Sequence, residues 1–209
     1  MRPLRKYVSE KNLLRMGVPK EFINKELSDF DTYGLKQLEL IKDFVNSYIT
    51  NIENYLDANR GILFFGSNGV GKSMLSSLIL KEAYRHRYIC KRITFSSYIN
   101  EYTRMWNAKP QERDTLEGDF YYYIKGVDLL VLEEVGKELD TKLSVTVLED
   151  LLRYREERGL TTILCTNLKP KELFSQYGAS VQSLLQGMCL PVKMVGDDQR
   201  KVRFNNNAE

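Results

Sequence analysis

Short apolar runs alternate with longer amphipathic segments along most of this chain. The segment 34–59 has apolar residues at three- and four-residue steps, which predicts an amphipathic helix that packs on the domain. Beyond it, short runs rich in apolar and β-branched residues predict strands, with helical spacing between them. This alternation is typical of a parallel sheet covered by helices. The predicted strands are 61–65, 91–96, 128–133, 161–166 and 191–195.

Most segments between the strands predict helices. Gly159 directly follows the longest helical pattern and is expected to be its C-terminal cap. The stretch 107–119 is polar enough to predict a mobile loop. Residues 1–16 could form at most a short basic amphipathic helix, through Leu4, Tyr7, Leu13 and Leu14. The later predicted helices are 72–87, 97–106, 143–158, 171–176 and 181–188.

Length and composition favour one ordinary α/β domain. The chain has 209 residues, of which 43% are hydrophobic and 28% charged, enough to bury a sheet and its helices. No stretch approaches the ~18 apolar residues of a membrane span, so no membrane partner is predicted. The basic N-terminus lacks the apolar core of a secretory signal, and a cytoplasmic location is expected.

Cysteine, histidine and charge content exclude some classes of site. Cys90, Cys165 and Cys189 form no C-x-x-C pair, which predicts buried reduced thiols rather than a zinc site or disulfides. The single histidine excludes a multi-histidine metal site. The net charge of +3 is no strong argument for nucleic-acid binding, and solvated helix faces explain the basic clusters most simply.

The most informative motif follows the strand 61–65. The segment 66–73 matches G-x-x-x-x-G-K-S, a turn whose backbone N–H groups surround nucleotide phosphates before a helix N-terminus. Lys72 is expected to reach the β- and γ-phosphates, and the Ser73 hydroxyl to ligate Mg²⁺. ATP or GTP is the predicted ligand. The predicted nucleotide-binding residues are Gly66, Ser67, Asn68, Gly69, Val70, Gly71, Lys72, Ser73 and Met74.

Two further strand ends carry candidate catalytic residues. Glu133 and Glu134 end an apolar strand, and we assign Glu133 to the metal, directly or through water, and Glu134 to the attacking water. Adjacent side chains on a strand face opposite ways, so this division of roles requires the backbone to turn there. Asn167 ends the strand 161–166, and its amide can orient water and contact the γ-phosphate.

Taken together, these motifs resemble the DnaC/DnaI-type helicase loaders of the AAA+ ATPases, whose close relatives include the IstB transposition helpers. The resemblance extends from Gly17 to Arg203 and implies a P-loop NTPase with a five-stranded parallel sheet between helices, with ATP and Mg²⁺ as cofactors. It makes Asn167 the sensor-1 residue. Arg200 would be a sensor-2-like contact to the γ-phosphate, with a surface arginine in a turn as the equal alternative. The segments that carry it are 61–66, 130–136, 154–159, 162–168 and 194–200.

The chain departs from the family pattern at three places. Glu133 and Glu134 replace the usual pair of aspartates, and Ser180 and Leu184 stand where arginines are expected. Without a finger arginine, which is worth on the order of 10³ or more in rate, intrinsic hydrolysis should be slow or absent. The N-terminal extension is also too short for a folded module. We therefore divide the chain into a basic lead-in, residues 1–33, and an AAA+ ATPase domain, residues 34–209.

Aromatic residues offer a second candidate surface. Sheet packing is the favoured interpretation of rings at helical spacing, and stacking on the bases of single-stranded DNA is the alternative. The aromatic candidates are Tyr98, Tyr102, Trp106, Tyr121, Tyr122 and Tyr123, and the phosphate-binding candidates are Arg104, Lys109 and Arg113.

The resemblance implies a replication accessory ATPase with weak turnover that acts on a hexameric replicative helicase and contacts single-stranded DNA weakly. Self-association is left open. An IstB-type helper on duplex DNA and an inert nucleotide-dependent adaptor remain alternatives. A small-molecule kinase is a weaker one, because the stretch 107–119 holds only Arg113 as a lid arginine.

Overall fold

The computed structural model describes residues 4–5, 8–138 and 141–196. Five strands form one sheet in the order β2-β3-β4-β1-β5, and every neighbouring pair is parallel. Helices cover both faces, so the predicted α/β fold class is confirmed. The strands are β1 (Gly61–Phe65), β2 (Cys90–Thr94), β3 (Leu129–Val135), β4 (Thr161–Thr166) and β5 (Cys189–Lys193).

Eight α-helices lie within the described residues, together with short 3₁₀ turns at Lys20–Phe22 and Leu27–Asp29 and a π-helical turn at Tyr121–Lys125. None of these helices is long and apolar enough to cross a membrane. The helices are α1 (Glu10–Met16), α2 (Lys36–Thr50), α3 (Ile52–Asp57), α4 (Lys72–Arg85), α5 (Phe95–Trp106), α6 (Pro110–Phe120), α7 (Thr141–Glu157) and α8 (Pro170–Met188).

The sheet separates two hydrophobic clusters. Side chains alternate along β1, so Ile62 and Phe64 pack with α1–α4 while Leu63 packs with α5, α7 and α8 on the opposite face. The central strands β1, β3 and β4 are almost wholly buried, which explains their continuous apolar sequences. The three cysteines are buried and free, as predicted.

The N-terminal segment packs on the edge strand β2 and belongs to the same core. Leu13 and Phe30 are buried in the cluster that also holds α4. Gly17 ends α1 in the left-handed conformation at φ 93°, and a β-carbon there would lie 2.1 Å from the Arg92 carbonyl oxygen. Only glycine permits this close approach of the two backbones.

Apart from shifts in the ends of elements, the structure differs from the predicted elements at three places. The helix predicted at 34–59 is two helices, because Asn51 between them leaves helical geometry at φ −111°, ψ 30°. The loop predicted at 107–119 is wrong, since α6 occupies most of it with Pro110 in its first turn. The helices predicted at 171–176 and 181–188 join in α8 across a kink at Gly178.

Candidate functional site

The predicted site residues meet where β1, β3 and β4 end. In an open parallel sheet, the carboxyl ends of neighbouring strands form the crevice in which ligands bind. The loop after β1 leads into α4, Glu133 and Glu134 lie at the end of β3, and Asn167 directly follows β4. One cleft is lined by residues from all three places, among them Asn68, Lys72, Glu133, Glu134 and Asn167.

The loop 66–71 has a backbone that requires glycine. Gly71 has φ 96° and lies so close to Phe30 that a β-carbon would come within 2.6 Å of the ring. Gly66 has φ 142°, and a β-carbon there would lie 2.2 Å from the Met194 carbonyl oxygen. Within the described residues no side chain caps α4 and no acid lies in its first turn, which leaves a helix N-terminus suited to an anion.

Lys72 is buried and points back toward its own loop. Its ammonium donates to the carbonyl oxygens of Gly66 and Ser67, both at 2.6 Å, and to Asn167 Oδ1 at 2.8 Å. The Asn167 amide nitrogen donates in turn to Asn68 Oδ1 at 2.8 Å. Asn167 therefore contacts both Lys72 and the tip of the loop.

Glu133 is the buried acid of the pair. Its residue is 3% exposed, and its Oε2 accepts from the Ser73 hydroxyl at 2.8 Å. Its Oε1 accepts from the Ser76 hydroxyl at 2.8 Å and from Arg92 Nε at 3.2 Å. Ser76 reaches the same carboxylate as Ser73 because residues three apart share a helix face.

Glu134 turns away from the strand, as its predicted role requires. Between Leu132 and Val135, β3 contains one residue more than the segment of β4 with which it pairs, and this extra residue makes a β-bulge. Within this bulge Glu134 adopts φ 61°, a left-handed conformation that non-glycine residues rarely adopt. Its side chain is exposed and pairs with Lys137 Nζ at 2.7 Å.

The cleft presents oxygen ligands and apolar surface of the kind that a nucleotide with a divalent cation would contact. The Ser73 hydroxyl and the Glu133 carboxylate offer neighbouring oxygen ligands of the kind Mg²⁺ prefers. Phe22 and Met74 supply apolar surface at the cleft wall. Cys165 also lines it, and burial raises the pKa of its thiol well above the ordinary value, with further repulsion from Glu133, so this thiol stays neutral.

The predicted arginine contact and the two positions where the family pattern has arginines lie outside the cleft or outside the described residues. Arg200 lies outside the described residues. Ser180 donates to Glu149 Oε1 at 2.7 Å and accepts from Arg153 at 2.8 Å on the side of the domain formed by α7 and α8. Leu184 is 6% exposed within the core. Neither residue offers a guanidinium of its own.

The aromatic candidates divide into core and surface. Tyr98 is 0% exposed and packs on Phe120, so it cannot stack on a base. Tyr121 is partly buried against Tyr154. The more exposed rings are Trp106 at 57%, Tyr122 at 62% and Tyr123 at 59%.

Charge near these rings is mixed. Arg113 donates to the Trp106 carbonyl oxygen at 3.1 Å, and Arg104 and Lys109 are exposed beside the same turn. The intervening helix α6 places four carboxylates in solvent, which weakens any attraction to phosphate. These acids are Glu112, Asp114, Glu117 and Asp119.

No protein-family profile matches the chain, and no curated protein matches it by sequence. The DnaC helicase loader superposes with a TM-score of 0.71 at 20% identity, over 85% of this chain and 100% of that chain. This chain has the AAA+ P-loop fold. DnaI superposes with a TM-score of 0.68 at 20% identity, over 86% of this chain and 96% of that one. The predicted likeness to DnaC/DnaI-type loaders is thus confirmed at the level of the fold.

A replication initiator also shares this fold. DnaA bound to AMPPCP and single-stranded DNA superposes with a TM-score of 0.66 at 18% identity, over 91% of this chain. The matched region spans 57% of the DnaA chain. The present chain therefore shares the fold of part of DnaA rather than the whole DnaA architecture.

Sequence reasoning missed three polar residues of the site. Arg92 lies in an otherwise ordinary strand, and only the register of β2 against β3 places it near Glu133. Ser76 could have been found from its three-residue spacing to Ser73. Lys137 follows Glu134 by three residues, but no local pattern predicted the bulge that brings them together.

Proposed function

We propose that this chain binds ATP with Mg²⁺ at the loop 66–73 and acts as an accessory ATPase of DNA replication. The observation that carries the proposal is the meeting of Lys72, Glu133 and Asn167, from three separate elements, at one glycine-rich loop. Such a loop before an uncapped helix N-terminus binds phosphates in nucleotide-dependent enzymes.

The proposed roles follow from the contacts in the cleft. Lys72 exchanges its carbonyl partners for β- and γ-phosphate oxygens, and Gly66–Ser73 with Met74 surround the nucleotide. Ser73 and Glu133 would hold Mg²⁺, directly or through water, and the chemistry that the ion would supply is the offsetting of phosphate charge. Glu134 releases Lys137 to orient water, and Asn167 supports that water and the γ-phosphate. A contact from Arg200 stays a prediction.

Slow turnover is part of the proposal. Ser180 engages Glu149 and Arg153, and Leu184 is buried, so neither position supplies charge to a neighbouring nucleotide. Because a guanidinium accelerates phosphoryl transfer by about 10³ or more, the isolated chain should act mainly as an ATP-dependent switch. A partner protein would provide the missing cation.

The replicative role rests on the fold neighbours. DnaC is a helicase loader, and DnaA was determined with AMPPCP and single-stranded DNA bound. These likenesses support action on a hexameric replicative helicase in the cytoplasm, more than transposition or an inert adaptor role. We propose only weak contact with single-stranded DNA, through Trp106 with Arg104 and Lys109, because α6 presents acids beside them.

The test measures ATP binding and hydrolysis by the purified chain. Lys72→Ala should abolish binding, whereas Lys171→Ala, an exposed lysine on α8, should leave it unchanged. Turnover should rise with a replicative hexameric helicase or with single-stranded DNA. Equal binding by wild type and Lys72→Ala would contradict the proposed site.

The same assay separates the alternative functions. Stimulation by duplex DNA alone would favour the transposition-helper interpretation. Lys72-dependent binding without turnover in any mixture would favour a nucleotide-controlled adaptor.

A further inference from the structure

Arg92 contacts Oε1 of Glu133, the carboxylate oxygen that Ser73 does not contact. Arg92 Nε lies 3.2 Å from Glu133 Oε1, and its Nη1 donates to the Gly17 carbonyl oxygen at 3.2 Å. Both side chains are largely removed from water, at 14% and 4% exposure for Arg92 and Glu133. This ion pair is therefore only weakly screened by solvent.

The sheet register makes the pair. Thr94 is the neighbour of Glu133 across the β2–β3 ladder, and Arg92 is the neighbour of Val131. Arg92 stands two residues before Thr94, so it lies on the same face of the sheet as Glu133 and at diagonal distance from it. Gly17 holds the other end of the guanidinium, which fixes Arg92 between the N-terminal segment and the site.

A carboxylate beside a polyphosphate repels it unless a cation offsets the charge. In the cleft described above, that cation would ordinarily be the metal ion alone. Here Glu133 already has a permanent positive partner, in addition to the hydroxyls of Ser73 and Ser76. The negative charge that a nucleotide meets at Glu133 is thus largely balanced before any metal binds.

We propose that Arg92 is a built-in counter-ion for Glu133 that makes nucleotide binding at the loop 66–73 largely independent of Mg²⁺. This inference rests on the proposed nucleotide-binding function. Under this proposal, Mg²⁺ would be needed for hydrolysis of the nucleotide but not for its binding. The chain would then hold nucleotide through changes in free Mg²⁺ that would empty a site with an unpaired acid.

The size of the effect follows from one charge. A unit charge acting over about 10 Å at an effective dielectric constant of about 20 changes a binding constant by roughly tenfold. Loss of the Arg92 charge should therefore raise the penalty for removing Mg²⁺ by about tenfold or more.

The experiment measures the dissociation constant of a fluorescent ATP analogue in MgCl₂ and in EDTA. For wild type, the ratio of the two constants should stay within about tenfold, the effect of one charge. Arg92→Met should raise the ratio by a further factor of about ten, and Arg92→Lys should stay near wild type. A wild-type ratio far above tenfold, or equal ratios in wild type and a folded Arg92→Met, would overturn the proposal.

Two controls keep the outcomes separate. Arg92→Met leaves Glu133 buried without its cation, so circular dichroism must establish that it folds. The double variant Arg92→Met/Glu133→Met removes both charges and should restore a ratio near wild type; a ratio as high as that of Arg92→Met would overturn the proposal. If wild type shows no Lys72-dependent binding in either buffer, the proposed function itself fails. Lys72-dependent binding that Arg92→Met leaves equally sensitive to Mg²⁺ defeats only the counter-ion proposal.

Discussion

The left-handed backbone of Glu134 should reverse the usual stability order of alanine and glycine. Glu134 has φ 61° at an exposed position within the β3 bulge. We expect Glu134→Gly to be more stable to unfolding than Glu134→Ala. The comparison isolates the backbone, because both variants lose the same side chain.

The magnitude can be worked from two opposing terms. The left-handed conformation costs an L-residue about 1–2 kcal/mol, which alanine retains and glycine avoids. Glycine pays about 0.5–1 kcal/mol of additional chain entropy relative to alanine. The Lys137 ion pair, with both side chains near half exposed, is worth about 0.2–1 kcal/mol and is lost equally in both variants. The free energy of unfolding of Glu134→Gly should therefore exceed that of Glu134→Ala by about 0.5–1 kcal/mol.

Urea denaturation of both variants gives the free energies of unfolding. Glu117, an exposed glutamate inside α6, provides the matched control, because alanine should exceed glycine there by about 1 kcal/mol. If alanine were also the more stable residue at position 134, the inference that this acid stands on a strained backbone would be refuted. A reversed order at 134 alone would support strain held at the proposed catalytic position.

Two further substitutions test packing at and behind the site. Gly71→Ala should destabilise the chain by about 2 kcal/mol or more and weaken ATP binding, because the new β-carbon combines a positive φ with a clash on Phe30. The control is Gly118→Ala, whose β-carbon would enter open space, so its melting temperature should be unchanged or slightly raised. Arg155→Met should cost at least about 3 kcal/mol in urea denaturation, because the buried guanidinium donates five hydrogen bonds, four of them to backbone carbonyls. Arg158→Met, at a half-exposed side chain in the turn that directly follows α7, should cost under about 1 kcal/mol, and equal losses would contradict this reasoning.

Two of the three central strands, β1 and β4, could be predicted to the residue. The predicted ranges 61–65 and 161–166 coincide with β1 and β4. Both strands are buried on two faces, so their sequences are continuous apolar or β-branched runs with clear ends. The phosphate-loop motif could also be recognised in the sequence, because its glycines and its lysine stand at fixed spacing within one segment.

Helix α6 shows where periodicity fails. It contacts the core chiefly through Phe120, with Leu116 partly buried, and its remaining residues are largely exposed. Such a helix carries too few apolar residues for a 3.6-residue pattern, and its polar sequence predicts a loop. The one local signal was Pro110, which is favoured in the first turn of a helix.

Side-chain contacts between strands could not be predicted from the sequence, for a different reason. The pair Arg92–Glu133 depends on the register of β2 against β3, and a shift of one residue would move Arg92 to the other face. The bulge at Glu134 likewise adds one residue to β3, and no glycine stands at that position to predict a bulge from the sequence. The roles of the two acids could be proposed from order alone, but their partners could not.

The contacts of Asn167 give a physical reason to expect coupling between the loop and the end of β4. Its Oδ1 accepts from the Lys72 ammonium, and its Nδ2 donates to Asn68, so one amide joins the cation and the tip of the loop. If Lys72 turns toward phosphate oxygens, as we propose, Oδ1 would lose a charge-assisted partner worth about 1.5–3 kcal/mol. Asn167 must then find a new donor or accept exposure to water. We therefore expect nucleotide binding to change the end of β4, because one of the hydrogen bonds that hold Lys72 also holds Asn167.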